Sequence, residues 1–216
     1  MPSNLTALTA KLQAQLIDNG TLFTAATCTV AFREALRKWN MIAPVHAATI
    51  IDVVPSQYEY MLNDATFGTI LDIESVWLQD PAVNGENDTL QLYDFYYENN
   101  QPAIRLRTSL ASGHLIIRYT APHTVIGLDS ATDGLLTADQ EQVLVDGACV
   151  EAINTRLSSL VEGYNLSPDV IGQYQRAEAA YVKAFAAGLL RYAAQRPAVG
   201  SPSDTAWNDE YHNWLH

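Results

Sequence analysis

The segment from Thr137 to Val161 constrains the fold most, because it combines a helix start, a sustained helical period and a glycine in its middle. Thr137 followed three residues later by Gln140 is typical of a capping box, in which the two side chains satisfy backbone N–H groups of the first turn. Apolar or small residues then recur at steps of three and four: Val143, Gly147, Val150, Ile153, Leu157 and Leu160. Since a glycine inside a helix costs about 1 kcal/mol, the sequence predicts that another helix approaches closely at Gly147.

Partner helices are predicted at both ends of the chain. Near the N-terminus, an amphipathic helix ends at Asn19-Gly20, and its apolar residues are Leu5, Leu8, Leu12, Leu16 and Ile17. A second helix runs from Thr24 to Asn40, before Pro44. Its buried face holds Phe32, Leu36 and Trp39, and its exposed face Arg33, Arg37 and Lys38.

A last long helix is predicted from Ser167-Pro168 to about Gln195, because proline is favoured at the first helical position. Arg196-Pro197 ends it. One face is expected to be buried, with the apolar line Tyr174, Ala177, Tyr181, Phe185, Gly188 and Tyr192.

Between these helices, β-branched and aromatic residues alternate with turn residues, which indicates strands. Residues 49–54 and 58–62 are predicted to pair across a turn at 55–57, and residues 69–78 form a longer strand. Residues 90–97 are compatible with a strand or a short helix. Residues 104–108 and 115–120 form the last pair, and all are expected in one antiparallel sheet of four to six strands.

The predicted fold class is therefore α+β. Helices from the two ends, residues 1–44 and 135–196, form one discontinuous helical domain. Residues 45–134 form an inserted antiparallel β domain, and residues 197–216 an extended C-terminal arm.

Composition limits the classes of function. With 216 residues, 48% of them hydrophobic, the chain can bury a core. A net charge of -12 argues against a protein that coats nucleic acid, but not against DNA that passes through a channel without being gripped. Neither a signal peptide nor a membrane span is expected, nor a membrane partner. Cys28 and Cys149 lie in apolar helical segments and are predicted to be buried thiols without a disulfide.

No catalytic, cofactor or metal site is predicted. His46, His114 and His123 are expected to be isolated on a sheet surface, without a nucleophile elbow or a phosphate loop nearby. The His212 and His216 pair is typical of a frayed terminus. The acidic loops at 85–88 and 129–133 lack EF-hand spacing, and Asp72 with Glu74 is typical of surface charge on a strand.

The C-terminal arm carries the clearest candidate for partner binding. Trp207, Tyr211, Trp214 and Leu215 stand among polar residues on a segment too short to bury them, as expected of anchors that dock on another chain. A disordered terminus with incidental aromatic residues is the alternative. Arg176, Lys183 and Arg191 on the last helix are further candidates for contact with an acidic neighbour or DNA, although a solvated helix face is the default.

Several segments, in this order, resemble the head-to-tail adaptor proteins of tailed bacteriophages, also called connector or tail tubular proteins. The resemblance covers about residues 24–194 and depends on the order and residue character of these segments, not on an invariant motif. Its segments are Ala31-Phe32-Arg33-Glu34-Ala35-Leu36-Arg37, Tyr58-Glu59-Tyr60-Met61-Leu62, Ile70-Leu71-Asp72-Ile73-Glu74-Ser75-Val76-Trp77, Ala111-Ser112-Gly113-His114-Leu115-Ile116-Ile117-Arg118-Tyr119 and Val143-Leu144-Val145-Asp146-Gly147-Ala148. Where those proteins often carry proline after the Tyr-x-Leu element, this chain has Asn63.

The resemblance implies a structural virion protein that is made in the host cytoplasm and located in the phage neck. It implies a homo-oligomeric ring, commonly a dodecamer, which binds the portal protein and the tail or neck proteins. Double-stranded DNA would pass through its lumen without sequence-specific binding. An acidic ring suits this role because repulsion disfavours sticking of DNA.

Two other classes of function remain open at this point. A carbohydrate-binding module or small enzyme would use the aromatic β residues Trp77, Tyr93, Phe95, Tyr96 and Tyr97, since tyrosine and tryptophan rings present large amphipathic surfaces. A free-standing assembly chaperone would be absent from the finished virion. A large symmetric species in solution would favour the ring over a carbohydrate-binding module or enzyme, which should work as a monomer or dimer.

Overall fold

The computed structural model describes residues 3–18, 20–62, 67–79, 89–99, 101–134, 136–162 and 168–193. These residues form an α+β structure with four helices and two antiparallel sheets, as the predicted fold class requires. They divide into two compact units. One holds the described residues of 1–44 and 123–195, and the other holds those of 45–122.

All four described helices belong to the first unit. They are α1 Leu5–Gln15, α2 Ala25–Ile42, α3 Ala138–Glu162 and α4 Pro168–Ala193. The predicted capping box of α3 is confirmed, because the Thr137 N–H donates to Gln140 Oε1 at 2.8 Å and the Gln140 N–H donates to Thr137 Oγ1 at 3.4 Å. The proline start of α4 is confirmed as well.

The predicted end of α1 is wrong. The helix stops at Gln15, and Ile17 adopts a left-handed conformation (φ 53°) with 95% of its surface exposed, instead of joining the buried face. The cause lies in the next residue. The Asp18 carboxylate accepts hydrogen bonds from the backbone N–H groups of Gly20, Leu22 and Phe23, which offers the chain a stable loop in place of another helical turn.

Helix α3 lies in the middle of the helical unit and contacts α1, α2 and α4. Its first half is buried beyond the predicted stripe, since Leu144, Val145, Ala148 and Cys149 are inaccessible to solvent. The single apolar stripe predicted for α3 is too narrow, because α3 packs against three helices and buries more than one of its faces. Cys28 and Cys149 are both buried and free, as predicted, and burial raises the pKa of the Cys149 thiol to about 12.

The close helix approach predicted at Gly147 is confirmed. A Cβ at Gly147 would lie 2.7 Å from Cε2 of Phe185 on α4. The reciprocal contact occurs at Gly188 of α4, where a Cβ would lie 2.5 Å from Cγ1 of Val143 on α3. Each helix therefore places one large side chain over a glycine of the other, which fixes both the spacing and the rotation of the pair.

A buried carboxylate joins the N-terminal segment to α3. Glu141 is only 4% exposed, and it accepts hydrogen bonds from Lys11 Nζ and Ser3 Oγ, each at 2.7 Å. Burial by itself raises the pKa of this carboxyl group, but the hydrogen bonds from Lys11 and Ser3 outweigh it and bring the pKa below its usual range. The ion pair between Lys38 and Glu151 joins α2 to α3 in the same way.

The second unit contains seven described strands in two sheets. The strands are β1 Val45–Asp52, β2 Glu59–Met61, β3 Asp72–Gln79, β4 Thr89–Leu90, β5 Tyr93–Glu98, β6 Gln101–Leu106 and β7 His114–Ala121. One sheet has the order β1-β7-β3-β4 and the other β2-β6-β5, so the prediction of a single sheet is wrong. The undecided segment at 90–97 is extended.

Neither predicted strand pair exists. Strand β1 pairs with β7 along its full length, from Val45 opposite Ala121 to Asp52 opposite His114, whereas β2 pairs with β6. The turn at 55–57 therefore carries the chain from one sheet to the other instead of closing a hairpin. Both sheets bury apolar side chains in one shared core, which includes Val76 and Ile117 from the first sheet and Ile104 and Leu106 from the second.

Residues 123–134, assigned to the β segment from sequence, pack in the helical unit, where Val125 and Leu128 join its core. His123 is accordingly not on a sheet surface, and that prediction is wrong. It is 6% exposed, its Nε2 donates to the Ala43 carbonyl oxygen at 2.9 Å, and its ring is tilted against Trp39. Burial lowers the pKa of His123.

The reciprocal glycine contacts lead to a first testable prediction. Gly188→Ala should lower the free energy of unfolding by about 1–3 kcal/mol, because the new methyl group overlaps Val143. Gly172→Ala is the matched control on the same helix, since its Cβ would meet only the flexible end of Arg176 at 3.8 Å. It should raise the free energy by up to ~1 kcal/mol through helix propensity. Urea unfolding of both variants checks this, and equal effects of the two would contradict the proposed packing.

The buried histidine leads to a second prediction. An unfolded chain binds a proton at His123 below pH ~6.5, whereas the folded protein resists it because burial lowers the pKa. The free energy of unfolding should therefore decrease as the pH falls below about 6.5, by up to ~1.4 kcal/mol per pH unit, with no contribution above that range.

Urea unfolding between pH 7.5 and pH 5 measures this slope. His123→Gln should flatten it, because glutamine does not titrate. His114→Gln is the control, since His114 is partly exposed beside Asp52. If His123→Gln keeps the full wild-type slope, His123 is not the group responsible.

Candidate protein-protein interface

The last helix, α4, has one face held against the helical unit. Tyr181 donates its hydroxyl hydrogen to the Gln15 carbonyl oxygen at 3.2 Å, and the Tyr192 ring stacks on Trp39 with centroids 5.7 Å apart. Phe185 fills the space over Gly147. The apolar line predicted from sequence therefore faces inward, which leaves the opposite side of α4 to solvent.

Arg176, Lys183 and Arg191 lie on that opposite side, and all three side chains are exposed. Their spacing of seven and eight residues places them on one helix face. Among the described residues, Arg176 donates only to its own helix, from Nε to the Gly172 carbonyl oxygen at 3.0 Å. Arg191 lies 4.0 Å from the exposed Asp139 carboxylate, and Lys183 has no ion pair with any described residue.

Small and apolar residues separate the three cations. Ala180 and Ala187 are seven residues apart, and Leu190 follows Lys183 by seven with 69% of its surface exposed. We call the surface made of Arg176, Ala180, Lys183, Ala187, Leu190 and Arg191 the outer face of α4. The three apolar members were missed in the sequence analysis, although the seven-residue repeat was readable. The short side chains of Ala180 and Ala187 leave room for a partner backbone to approach between the cations.

The outer face of α4 is unusual in the charge balance of this chain, which has 12 basic against 24 acidic residues. Most other described basic side chains are already paired with a carboxylate of the same molecule. These pairs are Lys11–Glu141, Arg33–Asp129, Arg37–Glu34, Lys38–Glu151, Arg105–Glu59 and Arg107–Asp94. On the outer face of α4, Arg191 pairs with Asp139 at 4.0 Å, whereas Arg176 and Lys183 have no ion pair with a described residue and remain available to an acidic partner.

The aromatic residues of the alternative sugar-binding site are not gathered on one surface. Phe95 packs toward the shared core, and Tyr93 does so while donating its hydroxyl hydrogen to the Ile73 carbonyl oxygen at 2.8 Å. Tyr96 points to the other face of β5, because successive strand residues alternate. Trp77 belongs to the other sheet, with its indole N–H bonded to Ser75 Oγ. Tyr97 shares the face of Phe95 and contacts it edge-on, with ring centroids 5.4 Å apart. Because Tyr96 and Trp77 lie elsewhere, the five described residues do not form one common stacking surface.

Several residues singled out from sequence lie outside the described residues. They are the candidate anchors Trp207, Tyr211, Trp214 and Leu215, the pair His212 and His216, and the loop at 85–88. In the described part of the chain, no group of three or more histidine, cysteine, aspartate or glutamate side chains could hold a metal ion. None of the described helices is long and apolar enough to cross a membrane. Asp129 is engaged by Arg33 through a two-pronged ion pair.

No protein-family model matches this sequence, and no curated protein matches it. Its function is therefore inferred from its own surfaces and from the resemblance described above.

Proposed function

We propose that this chain is a structural virion protein, a head-to-tail adaptor in the neck of a tailed bacteriophage. It forms a ring beneath the portal, joins the capsid to the tail and surrounds the channel through which DNA passes. The observation that carries the proposal is the outer face of α4, where available cations and short apolar side chains lie together on a chain of net charge -12.

A ring uses one heterologous contact between every pair of neighbours. On this chain, a basic helix face meeting an acidic surface of the next copy satisfies that requirement, because opposite charges orient the two copies and disfavour wrong pairings. The short side chains of Ala180 and Ala187 allow the backbone of the neighbouring copy to approach α4. The same contact is repeated around the axis of the ring, a dodecamer as is common for this class of protein. It leaves the excess negative charge for the remaining surfaces.

The acidic excess suits a DNA channel. Strong DNA binding needs clustered lysine and arginine that neutralise phosphates, and each such contact holds the DNA in place. A lumen lined by an acidic protein repels the phosphates instead, so DNA moves through without sequence-specific binding. The proposed role needs neither a catalytic group nor a cofactor.

The proposed architecture is a helical bundle from both ends of the chain, with a β domain inserted between them and a C-terminal arm. It is supported by the packing of α3 against α1, α2 and α4, in which sequence-distant helices share one core. The arm, residues 197–216, would reach a neighbouring copy, the portal protein or another neck or tail protein. Its anchors would be Trp207, Tyr211, Trp214 and Leu215.

The ring contact leads to a third prediction. Lys183→Glu combined with Arg176→Glu should reduce ring formation at least tenfold, because two attractive cations become repulsive anions at every contact. Arg105→Glu combined with Arg107→Glu is the control in the second unit, since it changes the net charge by the same amount and both side chains lie in exposed ion pairs that contribute little to stability. Native mass spectrometry and electron microscopy of the protein, alone and with its portal, measure the outcome.

Both double variants should remain folded, and circular dichroism with urea unfolding verifies this. If the α4 variant assembles like the wild type, the outer face of α4 is not the contact. If the wild type forms no ring with or without portal, the adaptor proposal is wrong. Truncation before Pro202 should abolish assembly and leave a folded monomer, so normal assembly of the truncated protein would exclude the arm.

A further inference from the structure

Strand β1 is an edge of the larger sheet, and no strand in the described part of the chain covers it. It runs for eight residues, Val45–Asp52, and pairs with β7 on one side only. No described residue makes a backbone hydrogen bond to its other side. An unpaired strand edge presents a row of N–H and C=O groups that can accept a further strand.

The register identifies the groups that point outward. The Val53 N–H donates to the Gly113 carbonyl oxygen at 3.0 Å, directly after the pair of Asp52 with His114. Since hydrogen-bonded and non-hydrogen-bonded pairs alternate along an antiparallel ladder, the residues of β1 that bond to β7 are the odd-numbered ones. The outward N–H and C=O groups are therefore those of His46, Ala48, Ile50 and Asp52.

This edge has little of the usual protection against pairing, since its one carboxylate, Asp52, stands at its last residue. Strand β1 contains no proline and no lysine, and its pairing with β7 has no bulge. The outer strands of the smaller sheet differ, because β2 has only three residues and β5 carries Asp94 and Glu98. Ile50, in the second half of β1, is 59% exposed.

We propose that β1 pairs with β1 of a second copy of this chain in an antiparallel arrangement. One register uses all four outward residues, and it places His46 opposite Asp52 of the second copy and Ala48 opposite Ile50. The small alanine leaves room for the exposed isoleucine. The two-fold axis then passes between the two Thr49 residues, and facing threonines are a favourable cross-strand pair.

The charges along this edge are complementary to themselves. Within one chain, His46 contacts Glu74 of β3 through Nδ1, and His114 of β7 contacts Asp52 through Nδ1 at 2.8 Å. The proposed register joins these pairs into a ladder of Glu74, His46, Asp52 and His114 that alternates acid and imidazole across the two copies. The symmetry repeats the ladder at the other end of the strands.

The result is one sheet that continues from β4 through β1 into the second copy and to its β4. This contact is isologous, so it ends at two copies and cannot by itself close a ring. It is therefore independent of the proposed contact at the outer face of α4, and either can fail without the other.

Disulfide trapping tests the register. Thr49→Cys should form a disulfide-linked dimer on mild oxidation, because the facing backbones of a non-hydrogen-bonded pair lie within reach of a disulfide. Ile51→Cys is the matched control, since Ile51 faces Ala47 of the second copy and not its own counterpart. The native Cys28 and Cys149 are buried and should not react. A dimer band for Ile51→Cys, or none for Thr49→Cys, overturns this register.

A charge exchange tests the partner. His46→Asp alone places acids opposite acids, and Asp52→His alone places imidazoles opposite imidazoles, so each variant should dimerise at least tenfold more weakly than the wild type. An equal mixture of the two restores both acid-imidazole pairs and should recover the dimer. Sedimentation of each variant and of the mixture measures this, and no recovery in the mixture contradicts the proposed ladder.

Ala48→Pro tests the edge itself. It removes one outward N–H group and leaves the bonds to β7 intact, while Ala48→Val keeps the N–H. The test uses the Arg176→Glu, Lys183→Glu background, which removes the proposed ring contact. Sedimentation should give dimer for this background alone and with Ala48→Val, and monomer once Ala48→Pro is added, with unchanged circular dichroism. A wild-type monomer at all concentrations up to the millimolar range, or a dimer that survives Ala48→Pro, overturns the proposal.

Discussion

Two glycine contacts, Gly147 under Phe185 and Gly188 under Val143, determine the rotation of α4 against α3. They thereby determine which residues of α4 are exposed to solvent. A helix that packs against another through a glycine can rotate little about its axis, because any rotation brings a larger residue into the space that only a hydrogen fits. The rotation that buries Phe185 also turns Lys183 toward solvent. The core packing of α4 and the composition of its outer face are thus consequences of one geometric constraint.

Features encoded by neighbouring residues could be predicted from the sequence. The capping box at Thr137 and the proline start of α4 depend on side chains within one turn of the backbone groups that they affect, so their spacing was sufficient. The end of α1 could not be predicted in this way, although it is also local. Asp18 ends the helix early because its carboxylate accepts hydrogen bonds from three backbone N–H groups of the following loop. The sequence pattern instead favoured a helix end at Asn19-Gly20, because glycine is common just after a helix.

Strand positions could be predicted and strand partners could not. Alternation along β1 indicates a strand, but the same pattern suits pairing with the next strand or with one about 70 residues later. The chain takes the distant choice, in which β7 lies between β1 and β3. Gly113 permits β7 to lie beside β3, because a side chain at this position would collide with β3. Its Cβ would lie 2.8 Å from the Gln79 carbonyl oxygen at the end of that strand. The predicted hairpin pairs β1 with β2 instead of β7, so the edge of β1 that no described strand covers could not be predicted from the sequence.

Any association between copies of this chain has to overcome repulsion between two bodies of net charge -12. That repulsion acts over distance and is largely screened beyond about 8 Å at physiological ionic strength. Ion pairs in contact are screened less, so a few well-placed opposite charges can decide where two copies meet while the mean charge keeps all other surfaces apart. At the outer face of α4 and at the ends of β1, such charges occur beside short or exposed apolar side chains. A strongly acidic chain can therefore gain specificity from its own charge, because contacts are favoured only where opposite charges are placed locally.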